Sequence, residues 1–476
     1  MKRVQIAAVI AAGPEDNLLI LAEKDGLDRL KEWLTVHEYD YLRQGASLGT
    51  GHFFFARGSS AVFVKILKQE HDEHAAREDA RLAGNDMLKE LRHYKTDTVT
   101  IRNACTTDRS LDFAEGMALG SYQFLKYFSD PTKREKPLRE IRIEGSNVSE
   151  ELNILLDAVF MARDLVNEPW SHLNTLQFAG AVVEAGEKAG FSVDILEKEK
   201  IAALKMGGLL AVNKASSVPP RFCILEWKPA GAGNEKPVVL IGKGVVYDTG
   251  GLSLKPSDGM DYMKCDMAGA ATVAGVISAV ARMQIPLHVI GLIPVTDNKI
   301  GENAIAPGDV ITMSSGTTVE VVNTDAEGRL ILADALYFAR QYEPALVIDI
   351  ATLTGSAVRA LGNQVICYMG TASKKTKSEL EKSGFHTYER LVELPLWREF
   401  GDDLKSHIAD LKNVGSSNAG MIAAGKFLEH FTKFPWLHLD IAGPAYLRTA
   451  NGYRTKEGTG VGVRLIYDFL KNFVHE

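Results

Sequence analysis

The chain has 476 residues, of which 46% are hydrophobic and 24% charged, and its formal net charge is −7. This length exceeds one ordinary domain and predicts two or three. The slight acidic excess predicts no basic face, so nucleic acid is not expected as a partner. Four widely spaced cysteines without a Cys-x-x-Cys pair are typical of a protein in the reducing cytoplasm.

No segment has the eighteen consecutive apolar residues of a membrane-spanning helix, so no membrane partner is expected. The N-terminal run from Ile6 to Ala12 superficially resembles a signal peptide. Because Glu15, Asp16 and Asn17 follow it closely, we interpret the run as part of a first β-strand.

The first 145 residues alternate strand-like and helical segments, which predicts a small N-terminal α/β domain over residues 1–145. The predicted strands are Val4–Ile10, Ser60–Leu67 and Thr98–Arg102, and the predicted helices are Glu73–Tyr94 and Ala114–Phe128. No acid–base constellation stands out in this region.

A helix predicted over Ser149–Asn167 places a linker helix at residues 146–170 and a larger C-terminal domain at residues 171–476. Short apolar runs in this domain predict strands at Ser192–Leu196, Phe222–Trp227, Val238–Ile241, His288–Pro294, Val319–Val322, Leu346–Ile350 and Leu437–Ile441. Helical segments between most of these strands predict an α/β fold, with a mainly parallel sheet covered by helices on both faces.

A glycine-rich segment, residues 242–255, follows one of these buried strands and carries Lys243, Asp248 and Lys255. Four glycines within ten residues indicate tight turns and close approach of the backbone to something bound. A phosphate-binding P-loop is excluded, because glycine rather than serine or threonine follows Lys243 and no glycine lies five residues before Gly242.

The octapeptide Asn323–Leu330 is the most informative stretch of the sequence. It holds Asp325, Glu327 and Arg329 between a predicted strand and a predicted helix. Ligands bind at the carboxyl ends of strands in open α/β sheets. Paired carboxylates suit a divalent metal there, and the planar fork of an arginine suits a carboxylate or phosphate.

Four carboxylates are expected at strand ends of the same domain: Asp248, Asp266, Asp325 and Glu327. Asp266 could also simply cap the small-residue helix that follows it. Four unpaired carboxylates in one cleft would repel one another, and at least one would be protonated. Two adjacent divalent ions would remove that repulsion, so the pattern favours a two-metal site.

Three segments carry a closer resemblance: Gly242–Lys255, Met263–Ala271 and Asn323–Leu330. In this order and spacing they resemble the cytosolic leucyl aminopeptidase family, the M17 peptidases. The resemblance is strong over roughly residues 155–476 and weak over the first 145. It implies a metal-dependent aminopeptidase that releases N-terminal residues such as leucine from peptides, in intracellular peptide turnover.

The resemblance also implies two divalent metal ions per subunit, Mn²⁺ or Zn²⁺, with a bridging hydroxide as the nucleophile. Lys243, Asp248, Asp266 and Glu327 would hold one ion, and Asp248, Asp325 and Glu327 the other. Lys243 must be neutral to coordinate, and a nearby divalent charge can lower its pKa that far. Hard carboxylates and one amine accept both metals, so the sequence does not choose between them.

Two cationic residues are implied to act in catalysis. Lys255 would polarise the scissile carbonyl, and Arg329 would hold a bicarbonate-like anion as general base. The residues implied to line the site for the first side chain of the substrate are Met263, Thr352, Leu353 and Gly355. The family also implies a homo-oligomer, usually a hexamer, in which the N-terminal domain serves assembly and gating.

Two departures from the family pattern are visible. Val246 replaces a frequent threonine, and Ser416-Ser417-Asn418 replaces a frequent glycine-rich stretch, which could alter a loop near the substrate mouth. Two alternative functions also stay open. Lys255 and Arg329 would suit the phosphate of another two-metal hydrolase, such as a phosphoesterase. A binding protein that has lost the chemistry is disfavoured by the intact set of candidate residues.

Overall fold

The computed structural model describes residues 3–13, 15–145, 150–416 and 418–473. The chain divides into two compact units. Their segments are Met1–Asp157 with Thr449–Lys456, and Ala158–Arg448 with Glu457–Glu476. The division predicted above, into residues 1–145, 146–170 and 171–476, stays a prediction. Ser149, at the start of the predicted linker helix, and Ser417 lie outside the described residues.

The first unit contains a six-stranded sheet in the order β1-β6-β5-β2-β4-β3, in which only the β3–β4 pair is antiparallel. Its strands are β1 (Gln5–Val9), β2 (Leu18–Glu23), β3 (His52–Arg57), β4 (Ser60–Leu67), β5 (Thr98–Asn103) and β6 (Glu140–Glu144). Its helices are α1 (Val36–Ser47), α2 (Glu73–His93) and α3 (Ser110–Ser121), with 3₁₀ turns at Lys24–Glu32 and Thr132–Arg134. Helix α4 (Glu150–Asn167) begins in this unit and ends in the second.

The predicted helix Ala114–Phe128 is wrong at both ends, since α3 covers Ser110–Ser121. Tyr122 leaves the helix with φ −50° and ψ 139°. Phe128, the last residue of the predicted helix, is 43% exposed. Apolar spacing continued past the end of the helix because an irregular segment also buries residues, Leu125 among them.

The second unit is built on a nine-stranded sheet in the order β16-β15-β18-β14-β9-β11-β8-β7, with β10 paired to β11. Its strands are β7 (Ser192–Leu196), β8 (Arg221–Trp227), β9 (Val238–Gly242), β10 (Gly244–Asp248), β11 (Val289–Asn298), β14 (Leu346–Ala351), β15 (Ile366–Gly370), β16 (Leu391–Glu393) and β18 (Trp436–Asp440). Smaller sheets are formed by β12 (Val310–Thr312), β13 (Thr318–Glu320) and β17 (Leu411–Lys412), and by β19 (Tyr446–Leu447) and β20 (Glu457–Gly458).

Helices surround this sheet. They are α5 (Thr175–Ala189), α6 (Lys198–Ala203), α7 (Gly207–Val212), α8 (Ser257–Met260), α9 (Ala268–Arg282), α10 (Gly328–Ala339), α11 (Gly355–Leu361), α12 (Lys374–Thr387), α13 (Gly420–Glu429) and α14 (Val463–Lys471). Short 3₁₀ helices lie at Asn213–Ala215, Met263–Cys265, Arg340–Tyr342 and Arg398–Leu404.

The central strands are parallel and are covered on both faces. The pairs β18–β14, β14–β9 and β9–β11 are all parallel, whereas the β11–β8, β8–β7 and β15–β18 pairs are antiparallel. Helices α9 and α10 both pack on β9, β11 and β14. Since successive residues of a strand face opposite sides, Val239 and Ile241 of β9 join the core beneath α10. The predicted fold class is confirmed.

The strand before the octapeptide was expected in this main sheet as Val319–Val322. It is β13, Thr318–Glu320, and it belongs to the three-stranded sheet with β12 and β17. That part of the prediction is wrong. A β-branched run indicates a strand but not the strands that it pairs with. One of the two partners of β13, β17, lies about ninety residues further along the chain.

Among the described residues, one stretch, Ser257–Arg282, is long and apolar enough to cross a membrane. Its most hydropathic window is 89% buried inside the protein, as in the core helix of a folded domain. Helix α9 within it packs against the main sheet and against α5 and α14.

Candidate metal centre

Five candidate ligands come from three separate segments of the second unit. Lys243 precedes the short strand β10 and Asp248 is its last residue. Asp266 lies two residues before α9, and Asp325 and Glu327 lie in the loop that leads into α10. One carboxylate oxygen each from Asp248, Asp325 and Glu327 lies within 4.8 Å of the other two. The structure therefore brings together three of the four carboxylates that the sequence suggested, and Lys243 links the fourth, Asp266, to Glu327.

Lys243 lies at the inner end of this cluster. Its Nζ is 2.8 Å from Asp266 Oδ1 and 3.0 Å from Glu327 Oε1, and it donates to the carbonyl of Thr352 at 3.0 Å. The side chain is 3% exposed. Burial lowers the pKa of Lys243, but the surrounding carboxylates raise it more, so the net shift is upward. The carboxylates around it therefore favour its charged ammonium form.

Gly328, the first residue of α10, makes room for that lysine. A Cβ at this position would lie 2.5 Å from Lys243 Cε and 2.7 Å from Lys243 Nζ. A side chain on Gly328 would therefore displace the amine from the carboxylates that it contacts.

Lys255 occupies the more open side of the cluster. Its Nζ is 2.7 Å from Asp248 Oδ2 and also contacts Asp325 Oδ1. Its backbone N–H donates to the carbonyl of Thr249, which closes the glycine turn between them. Gly250 of that turn has φ +84°, and a Cβ there would meet Asp325 Oδ1 at 2.9 Å.

The carboxylates hold more negative charge than a buried site favours. Burial and the neighbouring Glu327 raise the pKa of Asp248 to about 7. Burial also raises the pKa of Asp266 well above its ordinary value, and that of Asp325 as well. Burial raises the pKa of Glu327, but the ammonium groups of the two lysines lower it by more than burial raises it. The net shift is downward and favours the ionised carboxylate. Desolvation and like charge thus dominate three of the four groups.

Two residues that the sequence did not single out brace these ligands. Asn298, at the end of β11, donates to Asp248 Oδ1 at 2.9 Å and to the carbonyl of Thr324 at 3.0 Å. Thr324 Oγ1 donates to the Gly250 carbonyl at 2.6 Å and accepts from Ser253 N at 2.8 Å. These bonds join the glycine-rich turn to the loop before α10.

Arg329 lies in the first turn of α10 and is 7% exposed. Its Nη1 donates to the Asn413 carbonyl at 2.7 Å, whereas its buried Nε has no hydrogen-bond partner within the described part of the chain. Burial lowers the pKa of this guanidinium to about 10. A buried cation with an unpaired donor suits an anion.

The residues expected to line the site for the substrate side chain follow β14 or lie next to Asp266. Thr352 Oγ1 donates to Asp266 Oδ1 at 2.9 Å, and Leu353 N donates to Asp440 Oδ1 at 3.1 Å. Gly355 is the first residue of α11, and Met263 opens the 3₁₀ helix that ends beside Asp266. Thr352 thus contacts the candidate centre directly.

The donor set fits divalent metal ions. Asp266 Oδ2 and Glu327 Oε2 are buried and have no hydrogen-bond partner among the residues that the structure describes. Unpaired buried carboxylate oxygens are costly in a folded protein. Oxygen donors from three carboxylates within 4.8 Å of one another suit a hard or borderline cation, which would satisfy these atoms and relieve their mutual repulsion.

Known proteins resemble this chain over most of its length. Residues 160–467 match the family model described as cytosol aminopeptidase family, catalytic domain. A probable cytosol aminopeptidase from Chlorobaculum tepidum is 47% identical over 377 residues, which cover 75% of this chain and 74% of that protein. Another, from Geobacter sulfurreducens, is 44% identical over 369 residues, covering 76% and 74%.

Solved structures agree with the sequence relatives. The bottromycin maturation enzyme BotP in complex with Mn has a TM-score of 0.85 and 30% identity, covering 96% of this chain and 99% of its own. A mutant of tomato leucine aminopeptidase has a TM-score of 0.86 and 26% identity. The match covers 99% of this chain and 97% of the tomato chain. The chain therefore belongs to the cytosol aminopeptidase family and is a peptide-bond hydrolase with aminopeptidase activity that uses divalent metal.

Proposed function

We propose that the protein is a two-metal aminopeptidase that releases leucine and other N-terminal residues from peptides. The observation that carries the proposal is the cluster of Asp248, Asp325 and Glu327, to which Lys243 joins Asp266. Within the part of the chain that the structure describes, buried oxygens of Asp266 and Glu327 have no hydrogen-bond partner. Family membership supports the reaction, and the cluster supports the metal number.

The proposed ligand assignment is the one that the family resemblance implies. Lys243, Asp248, Asp266 and Glu327 would hold one ion, and Asp248, Asp325 and Glu327 the other, so that Asp248 and Glu327 would be shared. The contacts of Lys243 with Asp266 and Glu327 support this assignment. Two bound ions would supply a water of lowered pKa and a positive charge for the oxyanion. The Mn-bound structural relative supports a divalent metal, and we propose Mn²⁺ or Zn²⁺.

Lys255 is proposed to polarise the scissile carbonyl. Its ammonium group contacts both Asp248 and Asp325, so it lies at the open side of the carboxylate cluster. A positioned ammonium stabilises negative charge that develops on the carbonyl oxygen during attack. Loss of this charge should lower kcat more than it changes substrate binding.

Arg329 is proposed to hold a bicarbonate-like anion. The Nε of its buried guanidinium has no hydrogen-bond partner among the described residues, and its Nη1 donates to the Asn413 carbonyl. The anion would supply a base for the proton of the attacking water. Met263, Thr352, Leu353 and Gly355 are proposed to line the site for the first side chain, of which Thr352 already contacts Asp266.

Three wider features are proposed on the family resemblance. We place the protein in the cytoplasm, as the names of its relatives suggest. We propose a homo-oligomer, a hexamer, for which light scattering of the purified protein is the test. We also keep the three-part division at residues 145 and 170 as a proposal, which limited proteolysis would examine.

The test of the function is hydrolysis of leucine p-nitroanilide after chelation and reloading with Mn²⁺, with Asp266→Ala alongside. Activity should return with metal in the wild type and not in the variant. An N-acetylated leucine substrate should stay intact. If p-nitrophenyl phosphate is cleaved and the leucine substrate is not, the phosphoesterase alternative replaces this proposal.

A further inference from the structure

Asn413 makes hydrogen bonds to both ends of the turn that carries Asp325. It follows β17, and its side chain is fully buried. Its Oδ1 accepts from Val322 N at 2.9 Å and Asn323 N at 3.3 Å. Its Nδ2 donates to the Asn323 carbonyl at 2.6 Å and the Ala326 carbonyl at 3.4 Å. One amide therefore closes the turn around Asp325.

The backbone of Asn413 holds a second element of the same site. Its carbonyl accepts from Arg329 Nη1 at 2.7 Å, and its N–H donates to the Glu320 carbonyl at 3.0 Å. The Nε of the same guanidinium has no hydrogen-bond partner among the residues described. A shift of Asn413 would therefore move the turn around Asp325 and the guanidinium of Arg329 together.

We propose that Asn413 is a positioning residue that couples the carboxylate of Asp325 to the anion-binding guanidinium of Arg329. An amide accepts and donates in one plane, which matches two backbone N–H groups on one side and two carbonyls on the other. An aspartate would place an oxygen against those carbonyls, and an apolar residue would leave four backbone groups without this partner.

The inference rests on the proposed function, because it assigns Asp325 to a metal and Arg329 to an anion. Residues that orient the ligands of a metal site typically change metal affinity or activity by about 10–100-fold when replaced. The loss expected for Asn413 lies in that range, and it should appear in both metal affinity and anion dependence.

Asn234 provides a matched control in the same unit. It is 6% exposed, accepts from His288 N at 2.6 Å, and donates to the carbonyls of Lys236 at 3.1 Å and His288 at 2.9 Å. It therefore pairs backbone N–H and carbonyl groups with the same chemistry as Asn413, and these hydrogen-bond partners include none of the candidate ligands. A purely structural effect of losing a buried amide should be the same in both.

The experiment compares the wild type with Asn413→Ala and Asn234→Ala, each as the full chain. Melting temperature, Mn²⁺ affinity by calorimetry, kcat, KM and the bicarbonate concentration for half-maximal activity are measured. Asn413→Ala should weaken Mn²⁺ binding and lower kcat about 10–100-fold. It should also require more bicarbonate, and high bicarbonate should restore part of its activity. Asn234→Ala should change the melting temperature alone.

The proposal is overturned if Asn413→Ala keeps wild-type Mn²⁺ affinity and bicarbonate dependence, or if Asn234→Ala shows the same losses. If Asn413→Ala does not fold, Asn413→Ser, which keeps one hydroxyl for the backbone, takes its place under the same criteria. A wild type without metal-dependent hydrolysis would overturn the proposed function instead. In that case Mn²⁺ affinity of the two variants still decides whether Asn413 positions the turn.

Discussion

Gly328→Ala tests whether the position of Lys243 controls metal binding. The new Cβ would lie 2.7 Å from Lys243 Nζ, where about 3.4 Å is an ordinary contact, so the amine must move by roughly 0.7 Å. Lys243 is pinned by Asp266, Glu327 and the Thr352 carbonyl. Such a shift would disturb the amine and both carboxylates at once.

The expected result is a loss of metal affinity and activity of about 10–100-fold with little loss of stability. Alanine is better than glycine in a helix by about 1 kcal/mol, and the atoms displaced belong to the end of a flexible side chain. The two stability effects should largely offset each other.

The assay is Mn²⁺ titration by calorimetry together with hydrolysis of leucine p-nitroanilide and a thermal melt. Gly180→Ala in α5 is the control, because a Cβ there meets no atom within 4 Å. The control should bind metal normally and should be as stable as the wild type or slightly more stable. Wild-type metal affinity in Gly328→Ala would refute the placement of Lys243 among the ligands.

Three further outcomes are expected. Lys255→Met should lower kcat about 10²–10³-fold with a smaller change in KM, because it removes a charge that stabilises the oxyanion; steady-state kinetics showing an altered KM alone would contradict this. Removal of divalent metal should lower the melting temperature, and excess Mn²⁺ at 100 Kd should restore about 2.7 kcal/mol; melts identical with and without metal would count against the site. Burial raises the pKa of Asp334, on α10, to about 6 although backbone N–H groups of Ser314 and Leu209 lower it. Its protonated form is favoured in the folded protein, so this contribution to stability is full below pH 3.8 and is lost as the pH rises through 6. The melting temperature of the wild type relative to Asp334→Asn should therefore fall between pH 4 and pH 7, and a constant difference would contradict the shift.

The architecture of the second unit could be predicted because buried parallel strands are continuous apolar runs. Val238–Ile241 and Ser192–Leu196 differ by at most one residue from the observed strands. Sheet membership of β13 could not be predicted, since its partner β17 is distant in sequence. Nor could the grouping of Thr449–Lys456 with the first unit, which also depends on contacts between distant segments.

The carboxylates of the site could be predicted because they occur in three compact, glycine-containing segments. The residues that hold these carboxylates in place could not be predicted in the same way. Asn298 and Asn413 lie 50 and 88 positions from Asp248 and Asp325 in the printed sequence, and a lone asparagine gives no signal of its own. The capping interpretation of Asp266 is wrong, since Met267 is the N-cap residue of α9 and Asp266 contacts Lys243 instead.

The most direct test of the two-metal centre is the metal stoichiometry of the chain, measured together with its activity. Stripped protein would be titrated with Mn²⁺, bound metal counted by mass spectrometry, and hydrolysis of leucine p-nitroanilide followed at each point. A two-metal centre should bind two ions per chain, and activity should reach its plateau at the second equivalent. Full activity in stripped protein, or a plateau at one equivalent, would contradict the two-metal centre.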